Sequence, residues 1–240
     1  MQRRDHGFRW RGKEISRIEG LSDAVFAFAV TLLVVSLEAP RTFDDLQRMM
    51  HGFVSFGICF AILLLIWHSQ YIYFRRYALD DRVSFLLNAA LLFVVAFYVY
   101  PLKFLFTVFV DAFTRYQEVD ARGNAITMMQ ASDWRPLMMI YSLGFLGVYL
   151  IFTLLYMHAY RLRDELGLTS MEAYETRGVV QEQVIMMTIG ILGFLLSAAD
   201  HANLGGISYV LIGPSQMLLG MVHGRRRRLL GLDPLPIESR

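Results

Sequence analysis

Long uncharged runs alternate with short polar breaks along this chain, and runs of that length predict helices rather than strands. Six apolar runs stand out, at about 18–37, 50–74, 83–110, 134–160, 183–199 and 207–223. Most approach or pass the roughly 20 residues that cross a bilayer as a helix. The expected fold is all-α: a polytopic membrane protein with six transmembrane helices. One channel-sized domain, 18–223, would lie between an N-terminal arm, 1–17, and a C-terminal tail, 224–240.

The breaks refine this outline. In the first run, Ile18, Leu21, Val25 and Phe28 keep helical spacing, so the helix passes through Ser22 and Asp23 instead of starting there. Arg17 and Asp23 then stand at the mouth of a span, where charge is costly unless paired or wet. Pro40 with residues 41–48 forms a link in which a short helix can start near Asp44 and Asp45. Asp80 to Arg82 close the next hairpin. The third run is longer than a bilayer requires and holds Pro101, so it tilts, kinks or emerges. Residues 111–133 and 161–182 are read as polar links, and 200–206 as a turn. Gly144 and Gly147, and again Gly190 and Gly193, allow close helix approach.

With 55% apolar residues and a mean hydropathy of +0.42, this is not an ordinary soluble domain. The first run is not a cleavable signal, because further spans follow it. Cys59 is the single cysteine and lies in an apolar run, so packing is its default role. Net charge is only +2, but it is unevenly placed. Arg3, Arg4, Arg9, Arg11, Lys13 and Arg17 crowd the start, and Arg225 to Arg228 follow the last run. Both ends are therefore expected in the cytoplasm. Phe8 and Trp10 would touch the headgroup region, and the arginine tetrad would meet anionic membrane lipid. So short a basic arm beside a span does not suit nucleic acid.

Enzymatic chemistry has no foothold. Asp200, His201 and Asn203 are neighbours, but no nucleophile, metal-ligand or phosphate-loop pattern joins them. The histidines are scattered, so no metal site and no cofactor is expected. Along the first helix, Phe28, Thr31 or Leu32, and Val35 share one face. Arg17, Leu21 and Ala24 lie on a neighbouring stripe.

Arg17, Leu21, Ser22 and Asp23, followed by Phe26, Thr31, Leu32 and Leu33, resemble the Arg-x-x-x-Phe-Ser-Asp signature of the bacterial lysosomal-type (TMEM175-like) potassium channels. Leu21 replaces the usual phenylalanine. The stretch from Asn88 to Pro101 resembles that family's third helix. The resemblance implies a homotetramer in the bacterial inner membrane, with four copies of the first helix lining a potassium route. It puts Phe28 at the constriction, where the family carries isoleucine or leucine, and Thr31 at a position linked to potassium preference. Leu32 and Val35 would line the same route. Arg17, Ser22 and Asp23 would form a polar gating network with Asn88. The family also shows a tryptophan with a histidine three places later. Here Trp67 is followed by Gln70, with His68 between them, so the network partner in this second helix is open.

An apolar ring gates by narrowing and dewetting, unlike a carbonyl filter, and no Thr-Val-Gly-Tyr-Gly stretch exists here. Two rivals remain. A cation- or proton-coupled secondary transporter would show paired half-domains, and Pro101 has no counterpart. A nonconducting membrane subunit fits the bulk of Phe28.

Overall fold

The computed structural model describes residues 4–5, 8–35, 40–114 and 129–229. Two short antiparallel strands, β1 (Arg4–Asp5) and β2 (Phe8–Arg9), open the chain. The helices follow: α1 (Arg17–Val35), α2 (Phe43–His51), α3 (Phe53–Tyr77), α4 (Arg82–Thr114), α5 (Trp134–Arg161), α6 (Ser170–Ala198), α7 (Ala202–Ser208) and α8 (Ile212–Leu229). Among the described residues six stretches are long and apolar enough to cross a membrane, the last spanning α7 and most of α8. The end of the first predicted span, residues 115–128 of the 111–133 link and the tail beyond 229 lie outside the described residues.

Three helices start in the same way. Ser16 and Glu19, Thr42 and Asp45, and Thr169 and Glu172 each exchange a backbone N–H for a side-chain oxygen. Each pair satisfies two amides that the first helical turn leaves without partners. This explains why α1 begins at Arg17 and runs through Ser22 and Asp23. It also corrects one boundary. The fifth span begins at Ser170, not near 183, because the Thr169–Glu172 box starts the helix inside the charged stretch.

The sixth span also departs from expectation. The segment read as a turn is largely helical, as α7, and a single 3-10 turn at Tyr209–Leu211 separates it from α8. Pro214 has no N–H to give the carbonyl of Val210, which removes one helical bond at that junction. Pro101, by contrast, sits inside α4 without ending it.

In hydrocarbon, apolar area does not drive helices together, so close packing and polar contacts decide which faces meet. α5 packs most extensively on α6, while α4 lies between α5 and α1. Gly144 accepts the Tyr98 ring in the space where a side chain would stand. The Tyr98 hydroxyl donates to the carbonyls of Ile140 and Tyr141 and pins that ring across α5. Gly190 meets Phe145, and Gly193 meets Tyr209.

Phe8 does not turn outward to lipid headgroups as expected. That ring is fully buried, edge-on to Tyr77 with centroids 5.6 Å apart. Tyr73, Tyr77 and Tyr156 complete an aromatic cluster at this end of the bundle. Trp10 is half-buried and stands edge-on to Tyr71.

Candidate functional site

α1 has two unlike faces. Ile18, Ser22, Phe26, Ala29 and Leu33 are buried against α3 and α4. On the other side Arg17, Leu21, Ala24, Phe28, Thr31 and Val35 are all exposed. Steps of four and three residues align these six on one continuous stripe rather than two neighbouring ones. Phe28 is 57% exposed and Val35 70%, so the chain alone leaves a large apolar surface open. Leu32 is half-buried at its edge. The Thr31 hydroxyl donates to the Ala27 carbonyl at 2.9 Å, so its proton is spent on its own helix. What Thr31 presents outward is oxygen lone pairs, an acceptor suited to a cation.

The buried face carries a polar anchor. Gln70 Nε2 of α3 donates to Ser22 Oγ and to Asn88 Oδ1, each at 2.5 Å. Asn88 Nδ2 of α4 donates to Ser22 Oγ at 2.9 Å, and Ser22 donates to the Ile18 carbonyl at 2.8 Å. All three side chains are at least 98% buried. Three helices are thus joined through a single hydroxyl, in surroundings where no water competes for it.

Asp23 points elsewhere. It accepts a hydrogen bond from Trp67 Nε1 at 2.8 Å on the exposed side. Trp67 stacks on Tyr71, and so does His68, which is exposed. The motif is therefore divided between two sets of partners: Ser22 with Gln70 and Asn88, and Asp23 with Trp67. Arg17 lies on the open stripe, and His68 is outside the buried anchor.

Reading the sequence for chemistry overlooked a second pair of charges. Arg75, in the last turn of α3, faces Glu19 at 3.2 Å, and both side chains are only 10% exposed. The arm supplies the rest of this cluster. Arg11 and Gly12 donate their N–H groups to the Arg75 carbonyl at 3.0 and 3.2 Å, and Arg75 donates back to the carbonyls of Gly12 and Glu14. Serine or threonine three places before glutamate, at Ser16 and Thr169, was the available signal. Among the described residues no three histidine, cysteine, aspartate or glutamate side chains gather as a metal site requires.

Outside the spans, Asp81 sits in the turn between α3 and α4. Burial opposes its charged form, but the Ser84 hydroxyl, the His158 ring and the Val83 N–H outweigh that and hold its pKa below the usual carboxylate value. The His158 Nε2 to Asp81 Oδ2 distance is 2.9 Å, tying this turn to the end of α5.

A family model described as endosomal/lysosomal potassium channel TMEM175 matches residues 17–98, which include the open stripe and every member of the buried anchor. A potassium channel of Marivirga tractuosa is 35% identical over 233 residues, 94% of each chain. The crystal structure of a variant of the potassium channel MtTMEM175, in complex with a nanobody–MBP fusion protein, aligns with a TM-score of 0.79 at 34% identity, covering 92% of this chain and 99% of that one. A lysosomal potassium-selective TMEM175 homolog from Chamaesiphon minutus shares the fold, with a TM-score of 0.56 at 23% identity over 86% of this chain and 96% of that one. Identity of this extent along nearly the whole chain, joined to six membrane-length helices, makes this a multi-pass membrane protein that belongs to the TMEM175 potassium-channel family.

Proposed function

We propose that the chain forms a passive, potassium-preferring cation channel in which several copies of α1 surround one aqueous route. The observation that carries this reading is the open stripe of α1. One face of the helix is buried and anchored by hydrogen bonds, while the other leaves Phe28, Thr31 and Val35 exposed among the described residues. Four copies about an axis, as a homotetramer in a bacterial inner membrane, would set these residues in successive rings. Phe28 then forms the apolar constriction, Thr31 a ring of acceptor oxygens beyond it, and Val35 a further apolar ring. Leu32 borders them. Such a ring admits ions by widening and wetting and excludes them by narrowing. Arg17 would stand at the cytoplasmic mouth, with both termini on that side. The Ser22–Gln70–Asn88 anchor and the Asp23–Trp67 bond would hold α1 in its open or closed pose. The family's naming as potassium channels, carried by a relative 35% identical over 94% of the chain, supports the choice of ion.

The test is recording from purified protein in planar bilayers under opposed potassium and sodium gradients, with Phe28→Ala alongside. The expected result is a current reversing toward the potassium potential, with a larger unitary conductance in Phe28→Ala. Unchanged conductance and selectivity in that variant would remove Phe28 from the constriction. Saturable flux coupled to a second ion would favour a transporter instead, and silence under all voltages would favour a nonconducting subunit.

A further inference from the structure

Glu19 and Glu172 play the same double part at two helices far apart in sequence. Each caps its own helix and each also pairs with an arginine. Glu172 Oε2 accepts from the Thr169 N–H at 3.0 Å and from Arg11 Nη2 at 2.8 Å. Glu19 Oε2 accepts from the Ser16 N–H at 2.8 Å, while its Oε1 meets Arg75 Nη2 at 3.2 Å. The arm connects the two. Arg11 Nε and Nη2 also donate to the carbonyls of Leu166 and Gly167, before α6, and Nη1 donates to the Arg76 carbonyl at the end of α3. The Arg9 N–H donates to Glu172 Oε1 at 2.8 Å. Gly12 lies so close to α3 that an added Cβ would stand 2.9 Å from the Phe74 carbonyl oxygen. Phe8, fully buried beneath Arg76 and Tyr77, holds the arm in register.

We propose that Arg11 and Arg75 are positioning residues that relay the pose of the α6 N-terminus to the first turn of α1 and so bias how often the route opens. Among the described residues, the hydrogen bonds and ion pairs of both side chains go to the arm, to α3, to Glu19 and to the start of α6, not to the open stripe of α1. The relay acts by fixing where that helix begins: a shift at residues 166–172 moves Arg11, Arg11 moves the α3 terminus and Gly12, and Arg75 passes the shift to Glu19. This inference rests on the reading that α1 bounds the route.

Two variants of the full chain test it. Glu172→Gln keeps a cap, since glutamine serves at that position, but discharges the partner of Arg11. Gly12→Ala keeps every charge and pushes the arm off α3. Two readouts are taken: open probability and unitary conductance in bilayers, and the labelling rate of Leu21→Cys by a water-soluble maleimide in a Cys59→Ser background. Both variants are expected to shift open probability by about fivefold or more, the low end of coupling between distinct sites. Both are expected to shift the labelling rate and leave unitary conductance and ion preference as in wild type. Wild-type current with neither readout moved would overturn the relay alone. A silent wild type with shifted labelling would support the relay and sink the conduction reading. Loss of folded protein in both variants would also overturn it, leaving the arm a role in folding only.

Discussion

Replacing Gln70 by leucine tests the buried anchor most directly. The substitution roughly preserves volume and removes only the amide. Two hydrogen bonds vanish, those to Ser22 Oγ and Asn88 Oδ1. Ser22 keeps its donor from Asn88 and its own bond to Ile18, so its needs remain met. Asn88 Oδ1 is left bare at a site 1% exposed. A bare buried acceptor costs about 1–3 kcal/mol. Interhelical hydrogen bonds in membranes average nearer ~0.6 kcal/mol, because the unfolded reference also finds partners. The expected loss is therefore about 1–2 kcal/mol, measured as unfolding in mixed micelles at rising denaturing detergent. Asn88→Leu on top of Gln70→Leu removes that orphan but strips Ser22 Oγ of both its donors, so the two substitutions should be coupled by roughly 0.5 kcal/mol or more instead of adding. A loss below about 0.3 kcal/mol, or strict additivity, would refute the claim that one hydroxyl binds three helices together.

Gly144→Ala should cost about 1–3 kcal/mol in the same assay, since the Tyr98 ring must leave a place where its hydroxyl is held by two carbonyls. Retention of wild-type stability would mean the α4–α5 contact yields freely. For Asp81 the folded pKa lies below the ordinary value of 3.8, so the unfolded chain takes up the proton first as pH falls. Its contribution is complete above that ordinary value and is lost as pH drops through the folded one. The stability gap between wild type and Asp81→Asn should accordingly narrow only on acidification below pH 3.8, and a gap that is flat there would count against the Asp81–His158 tie.

The spans were legible because an apolar run long enough to cross a bilayer has few other uses. Their ends were not, where charge sat inside a helix. Glu172, Glu175, Arg177 and Glu182 made the first turns of α6 look like a loop, yet Glu172 is buried because Arg11 reaches it from the other end of the sequence. A pairing across 161 residues leaves no local trace. The open face of α1 was legible in part. Phe28, Thr31 and Val35 could be grouped by spacing, but both faces of the helix are apolar, so pattern alone does not say which is buried. Gln70 read as a departure from the family pattern. In the structure its amide supplies the donor that links Ser22 and Asn88, a role that spacing cannot reveal because it depends on three helices meeting.

The length of α4 has a consequence of its own. Thirty-three helical residues extend about 50 Å, whereas the oily layer of a bilayer is about 30 Å deep. Its last turn is tied to α2 by Asp111, which meets His51 at 3.0 Å. A helix so much longer than that layer must tilt within it or carry an end beyond it, and α2 is fastened to one of those ends. The two outcomes differ in what soluble probes reach: an emergent α4 end leaves its last turn and α2 open to them, whereas a tilted one keeps that turn in the lipid.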